Sequence, residues 1–388
     1  MKKLTIAAVA LAVLALGLPS AALAGWDEGV AAFKKGDMAT AIVEFKAITE
    51  AQPDWPGGHY MLGASYLRQD KSQEAIAHLR KAYEIDSSNL AYQVTLGEAY
   101  VKAGRYRDAV GFLGQIDASK LPDQQKIRLA ELQAVALTKT GQDAEALNAW
   151  AQAARLKPDD ASAHFQYGTA AYNAGDTQTA IRALGRAASL DPRNPDMQSA
   201  LVKALNRAGR ETPGRDAKLQ AYGKAADAAG KLVALNASYD NLMLLGEAQL
   251  GAKKYGDAVS SFEKSAAKNT SDWLPNFYQG QAYTALKQYA SAEEALRQAL
   301  EKTNEASNKV RVWKQLGFVY EKQKKYEDAI AAYQRAGDSG AVQRVEENKQ
   351  TAEYNKEVEA EAERLQALAE EEERLREELK KIGGGGGG

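Results

Sequence analysis

Apolar residues along this chain recur three and four positions apart, the spacing that places them on one face of a helix. These amphipathic stretches follow one another at a fixed step of about 34 residues. Small residues mark the step at Gly29, Gly63 and Gly97, and again at Gly246 and Gly280. A repeat of this length predicts an array of stacked helix pairs, an architecture that presents surfaces for other molecules to bind.

Nine repeats can be aligned on this small residue or its replacement. The anchors are Gly29, Gly63, Gly97, Ala134, Gly168, Val202, Gly246, Gly280 and Gly317. The steps that end at Ala134 and at Gly317 are slightly longer, and we expect longer loops there, at residues 119–123 and 303–308. The step that ends at Gly246 is the longest, which predicts an irregular, elongated repeat near residues 210–236.

Each repeat carries the same side chains at matching places. The third repeat has Leu96-Gly97-Glu98-Ala99-Tyr100, then Tyr106, Ala109 and Leu113. The last has Trp313, Leu316-Gly317, Tyr320, Tyr326, Ala329, Tyr333 and Ala336. This pattern resembles the tetratricopeptide repeat over about residues 26–336. The resemblance implies an all-α fold, a right-handed superhelical solenoid of about nine helix pairs, filling a domain at residues 25–340.

The resemblance also implies a binding face, because the first helices of such repeats line a concave groove. Carried onto this chain, the groove is apolar and aromatic towards the N-terminus, with a basic edge and a more polar middle. Such a groove suits a peptide with apolar and some acidic side chains. The candidate residues are Trp26, Phe33, Lys34, Tyr60, Leu67, Arg68, Val94, Lys102, Phe165, Tyr172, Lys203 and Arg207. For Trp26 and Phe33, capping the core of the first repeat is an equal alternative.

Residues 1–24 have the character of a secretory signal peptide. Lys2 and Lys3 precede an apolar run, and Ala22-Leu23-Ala24 matches a signal-peptidase site. We expect cleavage after Ala24 and a mature protein in the periplasm or secreted, with no membrane span. The alternative is an uncleaved anchor, since residues 4–24 carry no charge and are nearly long enough to span a bilayer.

The amino-acid composition limits the kinds of ligand and reaction that the protein can support. The chain has 388 residues, a net charge of −1, no cysteine and three histidines. A near-zero charge gives no basic footprint for nucleic acid, and disulfides and thiolate metal sites are excluded. The histidines His59, His78 and His164 are scattered over the repeats, and no phosphate-binding loop or nucleophile elbow is present. The sequence therefore favours a protein without enzymatic activity, cofactor or metal.

The C-terminal segment differs from the repeats. Residues 341–382 contain no proline or glycine and are rich in glutamate, lysine and arginine, which predicts one long charged helix. Its apolar residues follow a heptad, interrupted by Glu361 and Glu372. A coiled-coil homodimer through residues 350–382 and a solvated single helix both remain open, and the first turns are expected to cap the array. We expect the glycines at residues 383–388 to be disordered.

Two functions fit these features. The first is a periplasmic scaffold or adaptor that binds a protein or peptide in its groove and helps to assemble a cell-envelope complex. The second is a component of an envelope polysaccharide secretion or cell-wall machine that contacts glycan or a synthase. Exposed tryptophans at Trp55, Trp150 or Trp273 would favour glycan, because sugar rings stack on aromatic faces.

Overall fold

The computed structural model describes residues 20–383, with side chains described for residues 25–380. This part of the chain is helical, with one short 3-10 turn at Ala118–Lys120, and the all-α prediction is confirmed. The predicted leader lies almost entirely outside the described residues, as do the glycines at 384–388. Contacts divide the chain after Ala208 into two compact bodies, here called the N-terminal and C-terminal bodies.

The helices of the N-terminal body pack in sequence, each first helix against its own second helix, and most second helices against the first helix of the next repeat. Most contain 13 or 14 residues, close to four turns. The last of them, α11, ends just beyond the body. They are α1 Ser20–Lys35, α2 Met38–Ala51, α3 Pro56–Arg68, α4 Ser72–Ile85, α5 Leu90–Lys102, α6 Tyr106–Leu113, α7 Asp123–Lys139, α8 Asp143–Leu156, α9 Ala161–Asn173, α10 Thr177–Leu190 and α11 Pro195–Glu211.

The C-terminal body continues the same order of neighbouring pairs. Its helices are α12 Arg215–Leu235, α13 Tyr239–Gly251, α14 Tyr255–Lys268, α15 Leu274–Ala285, α16 Tyr289–Lys302, α17 Ala306–Lys322, α18 Tyr326–Arg335 and α19 Ser339–Gly383. All nine repeat anchors lie on odd-numbered helices, α1 to α17. The 45-residue helix α19 confirms the predicted charged C-terminal helix.

The anchor positions are small because the two helices of a repeat cross there. A Cβ atom on Gly97 would lie 2.1 Å from Cδ2 of Leu113, far inside van der Waals contact. The same glycine-to-leucine contact recurs at Gly168, where a Cβ would also lie 2.8 Å from the backbone nitrogen of Leu184. Where the anchor is glycine, as at Gly97 and Gly168, it is thus a packing requirement of its helix pair.

The extra residues of the two slightly longer steps enter helices as well as loops. Helices α7 and α17, which carry the anchors Ala134 and Gly317, each contain 17 residues, whereas α5 contains 13 residues. Both longer helices gain their added turn before the anchor. The loop expected at residues 303–308 is therefore largely wrong, because α17 already starts at Ala306. In the irregular repeat the added length is helical, since α12 has 21 residues.

The start of α19 closes the apolar core of the C-terminal body. Ala341 and Val345 are buried in the cluster that α17 and α18 form, which includes Leu316 and Tyr333. Tyr354 is 65 % exposed, so the packed part of α19 ends before it. The first turns of α19 thus shield the open face of the last repeat, as terminal segments of repeat arrays must.

Membrane-spanning character is not found in the described residues. No helix between residues 20 and 383 combines the length and the apolar content that crossing a bilayer requires.

Candidate functional site

A basic side chain at the end of a first helix contacts the end of the preceding first helix. Arg68 Nη1 donates a hydrogen bond to the carbonyl oxygen of Phe33 at 2.9 Å. Lys102 Nζ donates in the same way to the carbonyl oxygen of Leu67 at 3.2 Å. The two partners are separated by the same length of chain in both pairs. Each of these carbonyl oxygens also accepts a backbone hydrogen bond, from Gly36 at Phe33 and from Asp70 at Leu67, so the cation adds a second donor and lies near the negative end of the helix dipole.

The same contact recurs further along the body, between α11 and α9. Arg207 Nη1 donates to the carbonyl oxygen of Tyr172 at 2.5 Å, and its guanidinium lies 3.6 Å from the centre of the Tyr172 ring. Arg68 covers the Phe33 ring at 3.7 Å. These cations join neighbouring repeats, so much of the predicted basic edge is structural.

Four of the predicted groove residues belong to the core. Phe33, Tyr60, Leu67 and Val94 are at most 8 % exposed and pack in the apolar cluster of the N-terminal body. The Tyr60 ring lies 4.9 Å from the ring of Tyr92, and burial raises the pKa of the Tyr60 hydroxyl. Large side chains at these positions pack onto the next repeat, and a partner cannot reach them without opening that cluster.

The tryptophans also pack inward. Trp26 meets Trp55 edge-on at 4.7 Å, which favours core capping for Trp26. Trp150 is buried, and Trp273 is partly buried against Phe277, with ring centres 5.3 Å apart. The rings considered for sugar stacking are therefore held by protein contacts.

The accessible part of the predicted groove lies on α9 and α11. Phe165 and Tyr172 are partly exposed on α9, and Lys203 is exposed on α11. Lys34 is also exposed, but it lies on α1 in the first repeat. We define the first-helix face as the exposed side of α7, α9 and α11 at Arg128, Glu131, Val135, Lys139, Phe165, Thr169, Tyr172, Lys203 and Arg207.

A cavity of about 250 Å³ opens beside this face, between α7, α8 and α9. Its walls combine charged and polar groups with apolar ones, among them the indole of Trp150. The lining residues are Arg128, Glu131, Leu132, Val135, Trp150, Lys157, Ser162, Ala163 and Gln166. The groove predicted from the sequence did not include Arg128, Glu131 and Val135, although they occupy groove positions of the repeat anchored at Ala134. An alanine anchor is a weak signal for a groove position.

Ion pairs hold the charged groups around the cavity. Arg128 pairs with Glu98, and Lys157 Nζ lies 2.8 Å from Glu131 and 2.9 Å from Asp160. Burial opposes protonation of Lys157, but its hydrogen bonds to the two carboxylates outweigh burial and raise its pKa. The acidic groups of this region are thus already matched by cations of the same body.

Two lysines of the first-helix face have no carboxylate partner among the described residues. Among the residues that the structure describes, Lys139 and Lys203 form no ion pair with a carboxylate. Because neighbouring acids are paired internally, these lysines give the face an excess of positive charge. The arrangement can hold an extended chain whose carboxylates meet the lysines and whose apolar groups meet Phe165 and Val135.

A second polar cluster joins the helices of the second repeat. Nδ1 of His59 lies 3.3 Å from Nδ1 of His78, and the ring centres are 5.6 Å apart. The two nitrogens therefore point almost directly at each other. His59 Nε2 is 2.9 Å from the carbonyl oxygen of Pro53, so it carries a proton and donates it. Nδ1 of neutral His59 is then an acceptor, and His78 donates to it.

This head-on geometry suits a shared proton. In the described part of the chain, no group of three or more histidines and carboxylates is arranged to bind a metal ion. Burial and the neighbouring His59 lower the pKa of His78. If both imidazoles were charged, two N–H groups would face each other, and the hydrogen bond between His59 and His78 would be lost.

We expect acidification to destabilise the protein through this pair. The pKa of His78 is lower in the folded protein than its ordinary value of 6.5, so its stabilising contribution is present above pH 6.5 and is lost as pH falls. The urea midpoint should be lower at pH 5.5 than at pH 7.5. His78→Gln should reduce this difference, measured by circular dichroism.

Carboxylates with lowered pKa values, such as Asp37 and Asp176, change charge below this window and do not interfere. His164→Gln is the matched control, because that imidazole faces the carbonyl oxygen of Pro158 and has no histidine opposite. A midpoint difference that His78→Gln leaves unchanged would contradict the assignment.

Comparison with known proteins identifies the repeats. Sequence profiles described as tetratricopeptide repeat together match more than half of the 388 residues. The matched segments are residues 27–90, 66–135, 131–195, 165–223, 279–301 and 310–336. The chain belongs to the tetratricopeptide repeat family. The resemblance seen in the sequence is confirmed, and the helix pairs are those of a tetratricopeptide repeat solenoid.

Similar individual proteins are more distant. The TPR repeat-containing protein YpiA of Bacillus subtilis is 23 % identical over 283 residues, which cover 67 % of this chain. The match spans 66 % of YpiA, slightly less than two thirds of its length.

Several solved structures are similar to parts of the chain. The C-terminal part of a TPR repeat-containing protein from Cytophaga hutchinsonii is 14 % identical, covering 63 % of this chain and 93 % of that one, with a TM-score of 0.49. MamA from Desulfovibrio magneticus is 19 % identical, covering 45 % and 94 %, with a TM-score of 0.40. YrrB, described as having an unusual peptide-binding site, is 21 % identical, covering 47 % and 91 %, with a TM-score of 0.40.

Proposed function

We propose that this tetratricopeptide repeat protein is a non-enzymatic scaffold that binds a protein partner along the first-helix face. Family membership supports a binding role, because repeats of this kind provide extended surfaces. The single observation that carries the proposal is the accessible strip of α7, α9 and α11. There, partly exposed aromatic residues, a cavity with ion-paired walls and unmatched lysines lie together in one body.

The partner is an extended peptide segment with acidic and apolar side chains. Lys139 and Lys203 attract carboxylates, while Phe165 and Val135 offer apolar contact. The cavity between α7 and α9 has room for one side chain, and its ion-paired walls make the entry of an unpaired charge unfavourable. The preference for acidic and apolar residues expected from the sequence is kept, but its location moves from the N-terminal end to the middle repeats.

We place this activity outside the cytoplasm, in a cell-envelope complex. The apolar run and the Ala22-Leu23-Ala24 pattern support export. Fractionation of cells that produce the full chain tests this directly, with the N-terminus of the recovered protein determined by mass spectrometry. A protein that begins at Gly25 in the periplasm or medium is the expected result. An intact N-terminus in the cytoplasm would reject export.

Affinity capture from an envelope extract tests the binding face. Lys139→Glu with Lys203→Glu reverses the two unmatched charges without disturbing the core, since both side chains are exposed. We expect capture of the partner to fall by about tenfold or more, because like charges then oppose each other across the interface.

The control carries the same two reversals on second helices, at Lys46 and Lys81, which are also exposed. It should recover the partner as the parent does, while circular dichroism verifies that all three proteins are folded. Equal recovery by the parent and the Lys139/Lys203 variant would reject the first-helix face as the binding site.

A further inference from the structure

The second half of α19 presents an apolar stripe that no other described part of the chain covers. Every side chain from Glu353 to Lys380 is exposed. The large apolar residues of this segment are between 49 % and 67 % exposed, although a single solvated helix has no need of them. They are Tyr354, Val358, Leu365, Leu368, Leu375 and Leu379.

Their spacing describes a helix-pairing seam with two defects. Alternating steps of three and four connect the seam positions 358, 361, 365, 368, 372, 375, 379 and 382. Glu361 and Glu372 occupy two of them. In a parallel, in-register pair, each glutamate would face its own copy, placing like charges together inside the seam. A parallel pair is therefore disfavoured.

We propose that α19 pairs with α19 of a second copy in antiparallel orientation, with residues 358–382 overlapping and the two-fold axis passing residue 370. In this register Glu361 faces Leu379 of the second copy, and Glu372 faces Leu368. Leu365 and Leu375 face each other twice. No two glutamates oppose one another within the seam, and the leucines of each helix cover those of the other.

The flanking charges select the same register. Antiparallel pairing places Arg364 beside Glu378 of the second copy, and symmetry repeats this ion pair on the other side. Within the described residues, neither side chain forms an ion pair, whereas seam residue Glu372 is held by Arg376 of its own helix at 2.6 Å. Arg364 and Glu378 are thus available to a second copy.

Sliding the helices by one heptad brings like charges together. A shift of the axis towards the N-terminus brings Glu361 against Glu372 of the second copy, twice. A shift towards the C-terminus brings Glu371 beside Glu378. The proposed register has one repulsive contact, between the two copies of Glu371 at the axis, while Ala369 meets its own copy there and permits close approach. This pairing is independent of the partner-binding face, and either can fail without the other.

A charge swap tests orientation and register together. Analytical ultracentrifugation of the full chain should show a dimer whose dissociation constant rises about tenfold in Arg364→Glu and in Glu378→Arg, because each change creates two repulsive pairs. The double variant should recover the affinity of the parent. Circular dichroism verifies that the helix is retained. A monomeric parent, or a dimer indifferent to the single changes, would overturn the proposal.

A cysteine scan gives a second, independent measurement, and the absence of native cysteine makes it clean. Ala369→Cys places two thiols at the axis, so mild oxidation should produce a disulfide-linked dimer. Ala362→Cys is the matched control, since its neighbour in the second copy is Arg376. Equal cross-linking at both positions, or none at Ala369→Cys, would show that the proposed register is wrong.

Discussion

Val345→Asp will destabilise the C-terminal body by about 4 kcal/mol. Val345 has no exposed surface and packs among residues of α17 and α18. A carboxylate at this place would be removed from water without a cation or hydrogen-bond donor to receive it, one of the few changes with so large an effect. Urea unfolding followed by circular dichroism gives the free energy, and hydrogen exchange of α17 and α18 shows where protection is lost.

The same helix supplies the control for this change. Tyr354→Asp introduces the same carboxylate further along α19, at a side chain that is 65 % exposed and lies outside the proposed helix pairing. We expect the free energy of unfolding to change by no more than about 0.5 kcal/mol. If Val345→Asp left hydrogen exchange of α17 and α18 as slow as in the parent, α19 would not be the cap of the last repeat.

Gly168→Val will destabilise the N-terminal body by about 3 kcal/mol. A Cβ atom on Gly168 would lie 2.6 Å from Cγ of Leu184 and 2.8 Å from its backbone nitrogen. A flexible side chain can turn away, but a backbone atom moves only with its helix, so α9 and α10 would have to separate. Overpacking of a core typically costs about 1–3 kcal/mol, and the backbone clash places this site at the upper end.

A glycine in the facing helix should respond in the opposite direction. Gly185 lies in the middle of α10, and a Cβ atom added there meets no atom within 4 Å. Gly185→Ala should stabilise the protein by about 0.5–1 kcal/mol, because alanine favours the helix. The urea midpoints of the two variants test both expectations. A Gly168→Val protein as stable as the parent would show that the anchor glycine is dispensable.

The fold could be predicted because its main constraint is local and repeated. A glycine at most helix crossings and apolar residues three and four apart fix the helix pairs, and both can be read from single residues such as Gly97 and Leu113. The lengthened repeats were harder, since added residues can extend a helix or a loop with the same composition. Thus α17 begins at Ala306, where the sequence led us to expect a loop.

The binding face could be predicted only in part. A groove position in the repeat tells which side of the helix a side chain is on, but not whether that side chain is exposed. Tyr60 occupies such a position, yet its ring packs on Tyr92 of the next repeat and is buried. The distance between neighbouring repeats depends on side chains from both repeats, so it cannot be predicted from the sequence of one repeat. Arg68 likewise resembles a free groove cation in the sequence, but its partner is a carbonyl oxygen that has no sequence signature.

The hydrogen bond from one repeat to the helix end of the previous one has a consequence for how such a chain can change its length. Near the end of the helix that ends at Arg68, the carbonyl oxygen of Leu67 accepts a hydrogen bond from Lys102 of the following repeat. A duplication or deletion that keeps the frame of the repeat delivers a new cation to the same carbonyl and preserves this contact between repeats. A break at any other point would leave that carbonyl with its backbone donor alone, so whole repeats are the natural unit of insertion and loss in this array.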